Sequence, residues 1–253
     1  MRPIRVKHVR AAFREKYRDG EVVMAGDEPG DRDMIELLDA QFVADQPTIY
    51  GKPNPGYVER ELDWYMSGSL DVNDMEPPVP AVWKAIAASD GTINSNYGHL
   101  VFSEQNGNQF ENCLQALLRD RRTRQACMIY QRPSMHVDAT RKGARDFVCT
   151  YAVQCSLRLN FEEDVPSTET LHYSVFMRSN DAVFGYKNDL AWHKFVRDLL
   201  KDQLELHGKF RNLAVAPITW HAGSLHVYRR HFKLIAEDLG ARNSANEREV
   251  EDA

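Results

Sequence analysis

Apolar residues recur along the chain at two spacings, one typical of helices and one typical of strands. Between Asp189 and Leu206 the apolar positions follow one another at helical intervals, so they line one face of an amphipathic helix. The same pattern predicts further helices over Ile4–Tyr17, Tyr57–Met66, Pro80–Ala88 and Gln109–Leu118. The pattern therefore predicts five helices.

Runs rich in β-branched and aromatic residues predict strands between these helices. The predicted strands are Met34–Val43, Ala126–Tyr130, Val148–Asn160, Leu171–Met177 and Asn212–Trp220. In the third of them, period-two alternation predicts that every second residue from Cys149 to Cys155, Tyr151 included, shares one face. Because strands and helices follow one another in irregular order, the pattern favours an α+β fold over repeated βαβ units.

The chain shows no internal repeat, low-complexity linker or hinge rich in proline and serine. We therefore expect one domain over residues 1–240. The last residues, 241–253, are polar and charged, and we expect them to form a flexible tail.

Composition narrows the class of protein. Of the 253 residues, 43% are apolar and 27% are charged, which suits a sizeable core under an ordinary soluble surface. No apolar run is long enough to span a bilayer and the N-terminus lacks a signal-peptide stretch, so we expect a cytoplasmic protein without a membrane partner. The net charge of −5 argues against a stable nucleic-acid partner.

The four cysteines form no CxxC pair and have no histidine at a spacing suited to zinc. We therefore expect free thiols, and neither a metal site nor a disulfide framework.

A polar run marks the junction between a predicted strand and the longest predicted helix. The segment MRSNDAVFGYKND, Met177–Asp189, places Arg178, Ser179 and Asp181 beside a glycine at this junction. Such junctions suit the binding of an anion. Periodicity alone goes no further than a soluble α+β domain.

The order of this and other motifs resembles the thymidylate synthase superfamily. Met177–Asp189 is similar to that family's run of Arg-Ser, Asp, Gly and a base-reading Asn, with Asp189 at the base-reading position. The other similar segments, in the family's order, are RELDWY (Arg60–Tyr65), INSNYG (Ile93–Gly98), YQRPSM (Tyr130–Met135), FVCT (Phe147–Thr150) and GSLHVYRRHF (Gly223–Phe232). The likeness runs from about Gln41 to Leu234 and is strongest to the hydroxymethylase branch.

This resemblance implies a fold, an assembly and a reaction. The fold is a mixed β-sheet flanked by helices, and the homodimer forms through the sheet and shares its active sites. The reaction transfers a one-carbon unit from 5,10-methylenetetrahydrofolate to C5 of deoxycytidylate and adds water, with no metal. In a phage the product would feed modified DNA. Two alternatives stay open: a hydroxymethylase for CMP, and a non-catalytic nucleotide- or RNA-binding protein of the same fold.

Cys149 matches the family's nucleophile, whose thiolate adds to C6 of the pyrimidine and activates C5. By the same resemblance Arg178 lies beside it and favours the thiolate. Glu61 matches a glutamate that orders water and moves protons at the base, and that also borders the folate. Tyr97 and Trp83 match residues that line the folate and base pocket, and Asp181 matches one that fixes the folate ring. By the same resemblance, Tyr97 and Asp181 are expected to be catalytic residues.

The nucleotide phosphate is implied to bind Arg178 and Ser179 of one subunit and an arginine pair of the other. Arg124 matches the first arginine of that pair, but Gln125 replaces the second, and Arg122 and Arg32 are the candidates to substitute for it. The same loop carries Arg119 and Arg121, which suit a solvated charge run.

His226 and Tyr228 match the pair that hydrogen-bonds the sugar 3′-hydroxyl, and Gln154 matches a glutamine behind the nucleophile.

Asp189 is expected to determine which base the site accepts. An asparagine there satisfies uracil, whereas a protonated aspartate, or an ionised one facing a cytosine protonated at N3, pairs with cytosine.

Overall fold

The computed structural model describes residues 3–162 and 165–251. Its helices are α1 (Val6–Arg18), α2 (Pro55–Ser67), α3 (Ala81–Ile86), α4 (Tyr97–Phe102), α5 (Gln109–Arg119), α6 (Met135–Asp138), α7 (Gly185–Leu206) and α8 (Phe232–Glu251). Its strands are β1 (Met34–Val43), β2 (Cys127–Ile129), β3 (Thr150–Glu162), β4 (Val165–Asp181), β5 (Ala214–Val215) and β6 (Thr219–Tyr228). This irregular order of helices and strands confirms the α+β class.

The chain folds into two compact units, and it passes from one to the other within β4, within α7 and at the start of β6. The first unit comprises Met1–Pro53, Ser179–Leu190 and Trp220–Ala253. The second comprises Asn54–Arg178 and Ala191–Thr219. The single domain over 1–240 and the flexible tail at 241–253 stay predictions.

In the first unit, α1 packs against both β1 and α8, and β1 is the neighbour of β6. The core side of α1 carries the fully buried Val6 and Phe13. Arg14, on the same helix and 7% exposed, forms an ion pair with Asp238 of α8. A buried charge is tolerated here because it is paired.

In the second unit, β3 lies between β2 and β4 in antiparallel register, and β5 joins β4 in parallel. The sheet is therefore mixed, as the family resemblance implies. Helix α5 packs against β2 and β3, and α4 packs against α2 and α5. Leu114 and Leu117 of α5 are buried, which is the amphipathic face that the sequence predicts.

The predicted elements agree with the structure in type, with one exception and some omissions. The strand expected over Asn212–Trp220 is wrong as a single element, because Pro217 has no N–H to donate and separates β5 from β6. Helix α7 begins at Gly185, four residues before the predicted start at Asp189. The pattern also missed α4, α6, α8 and most of β6.

The alternation predicted for β3 is wrong at its start. Thr150 pairs with Met177 and Ala152 pairs with Phe176, so Tyr151 is the extra residue of a β-bulge. The bulge reverses the faces, and therefore Thr150 is fully buried while Tyr151 is 49% exposed. Cys149 thus does not share a face with Val153 and Cys155.

The INSNYG motif is explained in part by helix packing. Asn96 is fully buried, caps α4 by accepting the His99 N–H at 2.8 Å, and donates to the carbonyls of Trp64 and Ser69 at 3.0 and 2.8 Å. At Gly98 a Cβ atom would lie 1.7 Å from the Tyr65 carbonyl oxygen. Only glycine allows α4 to approach α2 this closely.

We expect Gly98→Ala to destabilise the protein by at least about 3 kcal/mol, because the obstructing atom belongs to the backbone and cannot rotate away. Urea denaturation measures the change. The matched variant is Gly26→Ala, whose new Cβ meets nothing within 4 Å and whose expected change is within about 0.5 kcal/mol. Equal stability of the two variants would contradict this explanation of the motif.

Candidate active site

The second unit brings Cys149 and Arg178 together at the adjoining ends of β3 and β4. One terminal nitrogen of the Arg178 guanidinium lies 3.5 Å from the Cys149 Sγ atom. The backbone places them opposite each other, since the Arg178 N–H donates to the Cys149 carbonyl at 2.8 Å. Cys149 is a half-buried free thiol, as predicted. A cation at this distance favours the thiolate, the form that attacks carbon.

The guanidinium of Arg178 is held by the backbone that leads into Cys149. It donates to the Phe147 carbonyl at 2.7 Å and to the Val148 carbonyl at 3.1 Å, and it lies 4.9 Å from the centre of the Phe147 ring. Charge-assisted bonds from a planar group fix its direction as well as its distance. The arginine is therefore oriented before any ligand binds.

Asp146 anchors the same segment from the other side. Its buried carboxylate accepts the N–H groups of Asn94 and Ser95 at 2.5 and 2.8 Å, and also the Ser95 hydroxyl. Burial raises the pKa of Asp146, whereas these donors and the charge of Arg178 lower it. The INSNYG segment thus supports the nucleophile loop, a second reason for its presence in the sequence.

Glu61 lies on α2 and is only 5% exposed. Its carboxylate accepts the Tyr57 hydroxyl, and the Trp83 indole N–H donates to that same hydroxyl oxygen at 2.9 Å. Desolvation raises the pKa of Glu61 to about 7, and the Tyr57 and Trp83 donors reduce the rise. A carboxyl group with this pKa can both give and take a proton near neutral pH.

Tyr97 and Trp83 belong to an aromatic cluster rather than to an open surface. Tyr97, at the start of α4 and 4% exposed, stacks on Tyr65 with ring centroids 5.4 Å apart and meets Tyr130 edge-on at 5.3 Å. Trp83 is 9% exposed and meets Trp64 at 5.1 Å. Their predicted roles in catalysis and folate binding stay predictions.

Arg122 and Arg124 lie in the exposed loop between α5 and β2. The Gln154 side-chain amide donates to the carbonyls of Arg124 and Ala126 at 3.4 and 2.9 Å. Gln154 therefore ties this loop to β3. The roles of Arg122 and Arg124 at the phosphate stay predictions.

The first unit contains five of the predicted site residues: Ser179, Asp181, Asp189, His226 and Tyr228. Ser179 and Asp181 end β4, and Asp181 accepts the Val183 N–H at 2.8 Å, which forms the turn into α7. Asp189 lies one turn into α7, where its Oδ2 atom accepts the Asn180 side-chain amide at 2.7 Å. The base-reading position is thus linked to a neighbour that the motif comparison did not single out.

His226 and Tyr228 lie two residues apart on β6, with ring centroids 4.7 Å apart, which agrees with the shared direction that their spacing predicts. The His226 Nδ1 atom is 3.3 Å from the Ser224 hydroxyl, which in turn donates to Glu36. This chain of polar groups sets the orientation of the imidazole.

Sequence reasoning missed Tyr57, Asp146 and Asn180. The first was detectable, because Tyr57 and Glu61 stand four residues apart on one helical face. Asp146 and Asn180 carried no such signal, since their partners are distant in the chain or depend on the turn into α7.

Among residues 3–162 and 165–251, no group of three or more histidine, cysteine, aspartate or glutamate side chains is arranged to hold a metal ion. In the same part of the chain, no helix is both long and apolar enough to cross a membrane.

Comparison with known proteins identifies the family of this chain. The thymidylate synthase family model matches residues 54–249, and the chain belongs to that family. The fold agrees: the thermostable thymidylate synthase A of Bacillus subtilis superposes with a TM-score of 0.64 at 16% identity, over 91% of this chain and 82% of that one. Both findings confirm the resemblance inferred from the motifs.

Within the family, the chain is 44% identical over 201 residues to the deoxycytidylate 5-hydroxymethyltransferase of Enterobacteria phage T4, which covers 79% of this chain and 78% of that protein. The enzyme of the same name from phage T2 matches to the same extent. A thymidylate synthase of Francisella tularensis is 22% identical over 184 residues, 72% of this chain and 64% of its own.

We expect Glu61→Gln to remove a pH dependence of the free energy of unfolding. The folded pKa of about 7 lies above the ordinary value of 4.5, so between these values the unfolded chain has lost its proton and the folded protein keeps it. The free energy of unfolding of the wild type should therefore fall, relative to the variant, as pH rises through this window, by roughly 3 kcal/mol in total.

Urea denaturation over the range from about pH 4 to about pH 9 measures this difference. Glu59→Gln, on the exposed side of the same helix, is the control and should follow the wild type. A constant difference between Glu61→Gln and the wild type at every pH would show that Glu61 is not held protonated by burial.

Proposed function

We propose that the protein transfers a one-carbon unit from 5,10-methylenetetrahydrofolate to C5 of deoxycytidylate and adds water, giving 5-hydroxymethyl-dCMP and tetrahydrofolate. The observation that carries the proposal is the guanidinium of Arg178 held 3.5 Å from the thiol of Cys149. The similarity to the phage deoxycytidylate 5-hydroxymethyltransferases supports the choice of reaction within the family.

Cys149 begins the reaction. Its thiolate forms a bond to C6 of the pyrimidine, and the electron pair of the C5–C6 double bond makes C5 nucleophilic. Arg178 stabilises the thiolate before this step and is fixed by two backbone carbonyls. C5 then takes up the one-carbon unit. Loss of the C5 proton expels tetrahydrofolate and leaves an exocyclic methylene group, to which water adds. The C6–S bond then breaks and returns the thiolate.

The proton transfers at the base fall to Glu61. Its pKa of about 7 lets the group exist in both forms at neutral pH, and Tyr57 and Trp83 fix its orientation. Methylenetetrahydrofolate, when bound, supplies the one-carbon unit. The residues predicted to contact the folate are Trp83, Asp181 and Glu61. Of these, Glu61 can also exchange a proton near neutral pH.

Substrate recognition is assigned to the polar residues of β4, α7 and β6. Ser179, with Arg178, binds the phosphate, and His226 and Tyr228 bind the sugar 3′-hydroxyl. Asp189 reads the base, since a carboxyl group matches the N3 atom and 4-amino group of cytosine better than the N3–H and O4 of uracil. The hydrogen bond from Asn180 to Asp189 supports a fixed orientation of the Asp189 carboxyl group.

The proposed homodimer forms through the sheet of the second unit. Ile129, Ala152 and Phe176 stand opposite one another on three neighbouring strands, so their side chains share one face. Ile129 is 53% and Phe176 37% exposed, and the bulged Tyr151 beside them is 49% exposed. An exposed apolar sheet face of this kind suits a second copy of the chain. Arg124, and Arg122 in place of the missing second arginine, would then reach the partner's phosphate.

We expect Cys149→Ser to lose turnover of dCMP by at least about a thousandfold while it keeps its affinity for the nucleotide, because the hydroxyl cannot replace a thiolate at neutral pH. Product formation and equilibrium binding of dCMP measure the two effects separately. Cys127→Ser, a second half-buried free thiol, is the control and should remain active. Turnover by Cys149→Ser at the control's rate would refute the nucleophile.

We expect two inactive chains to restore activity when mixed. Cys149→Ala and Arg124→Ala lack different parts of a shared site, so their heterodimer contains one intact site. Random exchange makes half of the dimers heterodimers, and the recovered activity should approach about a quarter of the wild-type value. The control mixes Cys149→Ala with Arg119→Ala, which we expect to be active by itself, so that this mixture should show no gain over Arg119→Ala alone. Demonstrated subunit exchange without recovery would contradict the shared site.

A further inference from the structure

Asn180 contacts Asp189 at the junction between β4 and α7. Its side chain is 3% exposed, and its Nδ2 atom donates to the Asp189 Oδ2 atom at 2.7 Å. A bond from an amide to a carboxylate oxygen at this distance is short and directional. The two residues are therefore oriented as a pair.

The other end of the Asn180 amide has no partner. Its Oδ1 atom is buried and accepts no hydrogen bond within the residues that the structure describes. An unpaired buried acceptor costs stability, so proteins rarely keep one without a use. Beside the base-reading Asp189, this oxygen can accept a donor that arrives with a ligand.

The contact with Asp189 also fixes which end of the amide is unpaired. Rotation of the Asn180 amide by half a turn would bring its oxygen against the Asp189 carboxylate, and two acceptors repel each other. As long as Asp189 accepts, Asn180 must present its carbonyl oxygen elsewhere. The pair thus offers an acceptor and cannot adapt to a ligand that needs a donor at the same point.

Gly185 leaves the room that this pair needs. A Cβ atom there would lie 3.1 Å from the Asn180 Nδ2 atom and 3.6 Å from the Asp189 Oδ2 atom. The first contact is tighter than ordinary van der Waals contact and would press on the hydrogen bond itself. A glycine at the start of α7 therefore leaves the hydrogen bond between Asn180 and Asp189 undisturbed.

We propose that Asn180 determines base specificity together with Asp189: its amide N–H orients the carboxylate, and its carbonyl oxygen accepts a hydrogen bond from the 4-amino group of cytosine. The role deepens the proposed function and rests on it. Uracil carries an oxygen at the same position, which would face the Asn180 oxygen and could not be accommodated by rotation of the amide. Asn180 thus adds to the rejection of uracil by Asp189, and the fixed direction of Asn180 comes from its bond to Asp189.

The test measures equilibrium dissociation constants of dCMP and dUMP, without folate, for the wild type and for Asn180→Leu. Leucine has a similar volume and neither donates nor accepts. We expect the preference for dCMP over dUMP to fall by about tenfold or more, the effect of one lost hydrogen bond in a buried site. Asn188→Leu is the matched control, because Asn188 also has a buried Oδ1 atom without a partner but makes no bond to Asp189. Its preference should change less than about twofold.

A double-mutant cycle with Asp189→Asn tests the linkage. If the two residues act as a pair, Asn180→Leu should change base preference much less in the Asp189→Asn background than in the wild type. Additive effects of the two substitutions would contradict the proposal that Asn180 and Asp189 act as a pair.

Thermal unfolding of each variant shows whether leucine at position 180 disturbs folding. If it does, Asn180→Asp is the second variant, because aspartate keeps the shape of asparagine. Two adjoining carboxyl groups share a proton, so its preference for dCMP should weaken as pH rises and both groups ionise. A purely structural Asn180 would leave the preference independent of pH.

The result separates this role from the proposed function. Wild-type protein that binds dCMP and dUMP equally overturns the proposed substrate and the role of Asn180 with it. Wild-type protein that prefers dCMP, with Asn180→Leu retaining that preference, overturns the role of Asn180 alone.

Discussion

The contact between Arg178 and the backbone before Cys149 is the constraint on which the rest of the site depends. One guanidinium group bonds to two consecutive carbonyls and still reaches the thiol at 3.5 Å. Hydrogen bonds to a charged group are worth about 1.5–3 kcal/mol each, enough to hold the loop in one conformation. Asp146 supports the same loop through the INSNYG segment, so several motifs that are far apart in sequence serve one nucleophile.

Two polar side chains are kept at a cost to stability. Glu61 is buried with a pKa of about 7, and Asn180 keeps an unpaired oxygen in the interior. Neither arrangement benefits the folded protein alone, since burial without a full set of partners is unfavourable. Both are understandable if a pyrimidine and a proton complete them during the reaction. Activity and stability therefore make opposing demands on the same residues.

Sequence reasoning found what depends on local pattern and on the order of motifs. The bounds of β1 coincide with the predicted strand Met34–Val43, and the motif order led to Cys149 and Arg178 before any geometry was known. Sequence reasoning failed where the local structure or the pKa of a residue depends on residues that are distant in the chain. The bulge at Tyr151 depends on the register with β4, and α4 is only six residues long and contains Gly98, too short a stretch for periodicity to show. The raised pKa of Glu61 comes first from its burial in the folded protein, and Tyr57 and Trp83, which lies on another helix, reduce the rise.

Mass spectrometry of the products tests the central claim most directly. The protein is incubated with 5,10-methylenetetrahydrofolate and, separately, with dCMP, CMP, dUMP or UMP. The account predicts a product from dCMP that carries one added hydroxymethyl group, with tetrahydrofolate released and the base unmethylated. A methylated product would show that hydride rather than water completes the reaction. A hydroxymethylated product from CMP or dUMP in preference to dCMP would contradict the substrate that Asp189 and Asn180 are proposed to select.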